Sequence, residues 1–317
     1  MHRPITRREA VAGIGSILAT AIWGCGTRRS SSPTESEANS GARGTEVTSR
    51  IPAVYLPHGG GPWPFVELGL PPGSMDGLAT YLRSLPDVPP VAPRALLVVS
   101  AHWEEAQPTL MTASRPPLLY DYYGFPSDAY ELQWPAPGAP DVAEEVREVL
   151  GLAGITTAVD AERGFDHGTF VVTKVAYPTP TIPTLQLSLM HDLDPARHFA
   201  LGRALAPLRD RGVFIIGSGM SYHNMQAFRR LMAGDHGPAE DARAFDGWLA
   251  ETVLADESSR ETRLAEWTRA PAARACHPRE EHLLPLMVIA GAANGDTPTL
   301  PFHGPVIGAQ SLAAQFG

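Results

Sequence analysis

Cysteine is almost missing from this chain. Its 317 residues hold Cys25 and Cys276 and no other, so a disulfide scaffold is excluded. If Cys25 is consumed in processing, no intrachain disulfide can form at all. Basic excess is missing too. Lys and Arg number 25 against 34 Asp and Glu, a formal charge of -9, and an acidic chain without a basic stripe is a poor nucleic-acid binder. No Gly-x-Ser-x-Gly stands in the sequence, which disfavours serine hydrolysis of the α/β-hydrolase kind, and no His-Glu-x-x-His stands there for a zinc protease. A His-rich flexible tract and an internal repeat are also absent. Proline and glycine are plentiful instead, 31 and 30, and imply long irregular connections. With 44% hydrophobic and 19% charged residues, the chain suits a soluble globular protein with a sizeable core.

The N-terminus reads as targeting rather than fold. Thr6-Arg7-Arg8-Glu9 precedes an apolar, small-residue stretch from Ala10 to Trp23. This is too short for a comfortable membrane span and fits an export signal. The Arg7-Arg8 pair suggests the twin-arginine route, which moves proteins already folded. Ile22-Trp23-Gly24-Cys25 resembles a bacterial lipobox, with Cys25 as the lipidated mature N-terminus. Residues 1–25 are therefore expected to be an export signal and residues 26–50, poor in large apolar side chains, a disordered tether. The protein is expected to be periplasmic or membrane-anchored, touching the membrane only through that lipid. Residues 51–317 are expected to form the folded domain.

Within that domain, short β-branched runs at 51–56, 95–100 and 213–218 lack alternation, which fits strands buried on both faces. Residues 184–189 alternate and read as a further strand. Amphipathic stretches at 141–150, 195–211 and 241–254 read as helices. The expected fold is α/β: a single domain with a central, largely parallel or mixed sheet flanked by helices. In such sheets ligands bind beyond the carboxyl ends of the strands. His58 and His102 follow two of the predicted strands closely, and His223 follows a third across the Gly217-Ser218-Gly219 turn. His282 opens an apolar helical run, and His167 lies between Asp166 and Gly168 in a predicted tight turn. These imidazoles can meet in one crevice as a metal site at the strand ends. His2, His191, His198, His236, His277 and His303 read as ordinary surface or structural residues. On these residues alone, a zinc hydrolase and a non-catalytic metal-binding lipoprotein both stay open. Glu281 beside His282 is the one weak candidate for a hydrolytic base.

The motifs, taken in order, resemble the DODA-type extradiol ring-cleavage dioxygenases, relatives of DOPA dioxygenase and of the catalytic subunit of protocatechuate dioxygenase. They begin with Pro57-His58-Gly59-Gly60, Ser100-Ala101-His102-Trp103, Tyr122-Tyr123-Gly124-Phe125-Pro126, and Tyr130 with Trp134-Pro135-Ala136-Pro137-Gly138. They continue with Gly164-Phe165-Asp166-His167-Gly168, Leu185-Gln186-Leu187-Ser188, Ser218-Gly219 with His223-Asn224, and Glu281-His282-Leu283-Leu284-Pro285. The resemblance runs from about Ile51 to the C-terminus. It implies one divalent metal, Fe(2+) for activity or Zn(2+) as bound, on His58, His102 and His282. It implies His223 beside the metal as acid/base, close enough to count as a ligand, and His167 against the substrate hydroxyl or the bound oxygen. A small catechol-type aromatic and O2 would be the reactants. Two features depart from the pattern. Gly60-Gly61 stand where relatives often carry Ser-Pro, and the export leader is unusual for a typically cytoplasmic family.

Three neutral imidazoles leave a site with the full +2 charge of its metal, which favours an ionised catechol, and leave positions open for ligands. A neighbouring histidine can then move the second proton. Tyr120, Tyr122, Tyr123 and Phe125 could wall such a pocket or simply pack the core.

Overall fold

The predicted strand at 51–56 becomes β1 (Ala53–Pro57) in the computed structural model, which describes residues 50–317. The expected export signal, Cys25 and all of the expected tether but Arg50 lie outside the described residues. The other strands are β2 (Ala95–Glu105), β3 (Thr109–Met111), β4 (Ala158–Asp160), β5 (Thr184–Met190), β6 (Val213–Gly219), β7 (Pro298–Val306) and β8 (Ala309–Phe316). They form one eight-stranded sheet in the order β4-β3-β5-β2-β6-β1-β8-β7. Its middle, β5-β2-β6-β1, is parallel throughout. β3 joins β5, and β8 joins β1, in antiparallel fashion, so the sheet is mixed. Every residue of β1, β5 and β6 is buried, as expected of strands covered by helices on both faces.

Sequence periodicity and structure part company at three places. The helix expected over 195–211 is two, Pro195–Leu205 and Pro207–Asp210. Pro207 lacks the N–H that would continue the first helix and its ring crowds the preceding turn. β2 does not stop at Ser100 but runs to Glu105, so His102 lies inside the strand. Pairing with β5 breaks between Val99 and Glu104, and this bulge sets His102 in an irregular stretch where a side chain can be re-aimed. His167 is not in a tight turn; it is the first residue of the helix His167–Ala176.

Behind the sheet, the buried Arg209 ties separate chain segments together. Its Nε donates to Ile51 O at 2.7 Å, one terminal nitrogen to Ala292 O at 2.6 Å and the other to Phe316 O at 3.0 Å, with Asp296 as its ion-pair partner. The entrance to β1, the end of the helix Leu284–Ala292 and the end of β8 therefore meet at one guanidinium. Among the described residues, no helix is long and apolar enough to cross a membrane.

Candidate metal centre

The parallel strands end on one edge of the sheet, and five histidines gather there. His58 is the residue after β1, and its backbone N–H donates to Gly219 O on β6 at 3.0 Å. Gly59 follows at φ 81° and turns the chain away. His102 is steadied by Ser100, whose Oγ accepts the His102 N–H at 3.2 Å and donates to Asp166 Oδ1 at 2.8 Å.

Asp166 explains two motifs at once. It is fully buried, caps the helix His167–Ala176 by accepting the Thr169 N–H at 3.1 Å, and pairs with Arg163 at 3.0 Å. Gln186 on β5 donates to Asp166 Oδ2 at 2.6 Å and accepts the Asp166 N–H at 3.0 Å. Gly-Phe-Asp-His-Gly and Leu-Gln-Leu-Ser are thus two sides of one satisfied polar network. It fixes the helix start that carries His167.

His282 is held through its backbone. Its carbonyl accepts the Tyr55 hydroxyl from β1 and the Met220 N–H, each at 3.0 Å. A Cβ on Gly219 would stand 2.2 Å from that carbonyl oxygen, so only glycine allows the approach. His223 hangs from Cys276 O by its N–H at 3.1 Å, and Asn224 caps the helix Met225–Met232.

The side chains converge. Nε2 of His58 and Nε2 of His102 lie 3.2 Å apart. Two nitrogens bound to one ion at about 2.0–2.1 Å stand about 2.9–3.4 Å apart for octahedral to tetrahedral angles, so this pair fits a common cation. The His282 ring centroid lies 5.2 Å from that of His58 and 4.9 Å from that of His102. Its Nε2 is buried and has no hydrogen-bond partner. His223 stacks on His282 at 3.3 Å with 11° between the planes. His167 is closer to His102 than His282 is, at 3.9 Å. Potential ligand atoms of His58, His102 and His167 lie within 4.8 Å of one another, as do those of His223, Glu281 and His282. The structure thus brings together all five histidines singled out in the sequence.

Two carboxylates stand behind the rings. Glu281 Oε1 lies 2.9 Å from His282 Nδ1 and 3.5 Å from His223 Nδ1. Asp121 Oδ1 lies 2.9 Å from His167 Nδ1, and its Oδ2 is 3.6 Å from His102 Nδ1. A carboxylate on the outer nitrogen orients an imidazole and frees the inner nitrogen for a metal or a proton. Glu281 is therefore engaged behind the site rather than poised as a hydrolytic base. Burial opposes ionisation of both acids, yet His167 beside Asp121 and His223 beside Glu281 hold their carboxyls below the usual range. Burial pushes the imidazoles of His58, His102 and His282 well below the usual histidine value, and their neighbouring rings add to it. All three are neutral at pH 7, the form that binds metal.

Asp121 escaped the sequence reading. It stands one residue before the quoted Tyr-Tyr-Gly-Phe-Pro motif, and that position was its only signal. Of the aromatic residues there, Tyr122 is buried 5.9 Å from the His167 ring, and Phe125 packs on Gly61. Tyr120 donates to Leu132 O, whereas Tyr123 is 90% exposed. Packing thus accounts for Tyr120, while Tyr122 lies beside the His167 ring with Phe125 packed against it. His277, read as an ordinary polar-loop residue, is in fact fully buried and is bonded through Nε2 to Ser221 O at 3.0 Å.

The chain is similar to known proteins. Residues 69–308 match the catalytic LigB subunit of aromatic ring-opening dioxygenase. A 4,5-DOPA dioxygenase extradiol of Escherichia coli is 34% identical over 85% of this chain and 96% of its own length. One from Beta vulgaris is 40% identical over 67% of this chain and 77% of its own. Dioxygenase tasH of Hapsidospora irregularis is 37% identical over 77% and 78%. The crystal structure of an uncharacterized protein from Escherichia coli K12 superposes with a TM-score of 0.67 at 29% identity, covering 84% of this chain and all of that one. These relatives do not favour the hydrolase or metal-carrier alternatives. The chain belongs to the LigB family of aromatic ring-opening dioxygenases and is a metal-dependent extradiol dioxygenase.

Proposed function

We propose that the chain opens the ring of a small catechol with O2, holding Fe(2+) on His58, His102 and His282. The observation that carries this reading is the 3.2 Å approach of the His58 and His102 Nε2 atoms beside the buried, unpartnered Nε2 of His282. A divalent ion bound there supplies positive charge that favours the ionised form of a catechol hydroxyl. His223, stacked on His282 and backed by Glu281, takes up the second hydroxyl proton and returns it later. His167, backed by Asp121, contacts a substrate oxygen. Tyr122 and Phe125 give an aromatic ring an apolar surface and keep water from that side. Zn(2+) suits the same nitrogen donors and is the alternative occupant. Anaerobic loading with Fe(2+), followed by oxygen uptake with a panel of catechols, tests the reading. Uptake of O2 with formation of a ring-opened product is expected. Iron-loaded protein that consumes no O2 with any catechol would remove it.

Location belongs to the same proposal. Residues 1–25 direct export by the twin-arginine route, Cys25 carries a lipid, residues 26–50 are a tether, and 51–317 act outside the cytoplasm. Arg7-Arg8, the apolar stretch to Trp23 and the Gly24-Cys25 step support this. Replacing both arginines by lysine is expected to leave precursor in the cytoplasm; normal export of that variant would exclude the twin-arginine route. Soluble mature protein unaffected by globomycin would exclude the lipid.

A further inference from the structure

Asp121 lies on a segment pinned at both sides. The Tyr120 hydroxyl donates to Leu132 O at 2.6 Å and the Tyr122 hydroxyl to Ala129 O at 2.5 Å. The Asp121 N–H donates to Leu119 O at 3.0 Å, and Leu119 N–H to Phe165 O at 2.7 Å, two residues before His167. The carboxylate is therefore set in place before it meets any imidazole. Its Oδ1 accepts two hydrogen bonds from the same residue, the His167 backbone N–H at 2.8 Å and the ring Nδ1–H at 2.9 Å. Its Oδ2 stands 3.6 Å from His102 Nδ1, beyond a good hydrogen bond.

We propose that Asp121 is a positioning residue that locks His167 in the Nδ1–H tautomer. The distances choose His167 over His102. A neutral imidazole carries its single proton on the nitrogen that finds an acceptor. A fixed carboxylate at Nδ1 leaves Nε2 unprotonated and able to accept a proton from a substrate oxygen. The opposite tautomer would present an N–H at that point and could only donate. The backbone bond from His167 to the same oxygen prevents the ring and the carboxylate from drifting apart, because it ties the helix start at 167 to the 119–122 segment. That segment also carries Tyr122, so the aromatic surface and the tautomer are set by one anchor. The role assigned to His167 rests on the dioxygenase reading above; the tautomer does not.

The test is ring-nitrogen NMR on Zn(2+)-loaded protein labelled with 15N-histidine, the His167 signals being those missing from His167→Ala. The parent is expected to show Nδ1 protonated. Asp121→Ala should move His167 toward the Nε2–H form while zinc content stays at the parent value. With Fe(2+) and a catechol, the same variant should lose about 10- to 100-fold in kcat, the usual range for a residue that orients a functional imidazole, with KM changed much less. Asp121→Asn keeps an acceptor oxygen and should hold the parent tautomer. Asp121→Ser is too short to reach Nδ1 and asks the same question should the alanine variant fail to fold. An unchanged His167 tautomer in the alanine or serine variant overturns the proposal. Loss of zinc with the tautomer intact also overturns it and assigns Asp121 to His102. A parent inactive on every catechol would remove the dioxygenase reading yet leave the tautomer measurement standing.

Discussion

His58 and His102 hold their Nε2 atoms 3.2 Å apart, although one follows β1, the other lies within β2, and β6 runs between those strands. Two neutral imidazoles can face each other so closely only by sharing a proton or a cation. With His282 beside them, a cation satisfies three rings at once. His58→Ala, His102→Ala and His282→Ala should each lose the metal, whereas His223→Ala should keep it. Turnover in His223→Ala should fall on the order of a hundred-fold or more, the range of a general acid–base group. Elemental analysis beside oxygen uptake by iron-loaded enzyme reads both. A His223→Ala protein at the parent rate would deny His223 its proton-transfer role.

The parts of this arrangement that sequence revealed are those with local signatures. The strands Ala53–Pro57 and Val213–Gly219 are apolar runs bounded by turns, and the histidines after them sit in small-residue contexts. Other parts have no local signature. β7 carries Pro298, Pro301 and Pro305, which argue against a strand, yet it is the sheet's edge, where missing N–H donors are tolerated. The extension of β2 through His102 depends on pairing with β5, which no single-strand pattern reports. Asp121 is a loop carboxylate whose partner is 46 residues away. Its role emerges only when the helix His167–Ala176 is packed against its loop.

Gly219 offers a way to move His282 without touching its ring. A methyl group at 219 would meet the His282 carbonyl at 2.2 Å, and neither Tyr55 nor Met220 can release that oxygen without losing a buried hydrogen bond. Gly219→Ala should cost about 1–3 kcal/mol of stability through overpacking. It should also weaken zinc binding by about 10- to 100-fold, as for a disturbed ligand support. Competition with a chromophoric chelator measures the second effect; parent affinity in a folded variant would show that His282 is not held from behind.

Arg209 is the stability counterpart of the site. It is 1% exposed and donates to carbonyls of Ile51, Ala292 and Phe316 besides pairing with Asp296. Arg209→Ala leaves those acceptors buried without their donor and Asp296 with Arg50 alone, at 3.8 Å. The expected loss is about 1–3 kcal/mol, the cost of leaving buried acceptors unsatisfied. The urea midpoint of the metal-loaded protein reads it. A shift equivalent to less than about 1 kcal/mol would mean that water replaces the guanidinium there.

Acid sensitivity should come partly from histidines outside the metal centre. His198 accepts the Met190 N–H through Nε2 at 3.2 Å and donates from Nδ1 to Asp194 O at 2.7 Å. His277 donates from Nε2 to Ser221 O at 3.0 Å. Both are fully buried, and burial lowers each pKa to about 4. Unfolded, each would titrate near 6.5. Between those values the unfolded chain binds the extra protons, so stability rises with pH and is complete only above about 6.5. As pH falls from there toward 4, each histidine should remove up to about 1.4 kcal/mol per pH unit. Carboxylates with lowered pKa, such as Asp121 and Glu281, withdraw stability in the same direction at more acidic pH. Asp246, raised by burial, works against the trend. His198→Gln retains an acceptor for Met190 and cannot be protonated. Urea unfolding at pH 7.5, 6 and 5 should therefore show a shallower pH slope in His198→Gln than in the parent, by about one proton. Equal slopes would mean that His198 takes up its proton without unfolding, for instance by swinging out of its pocket into water.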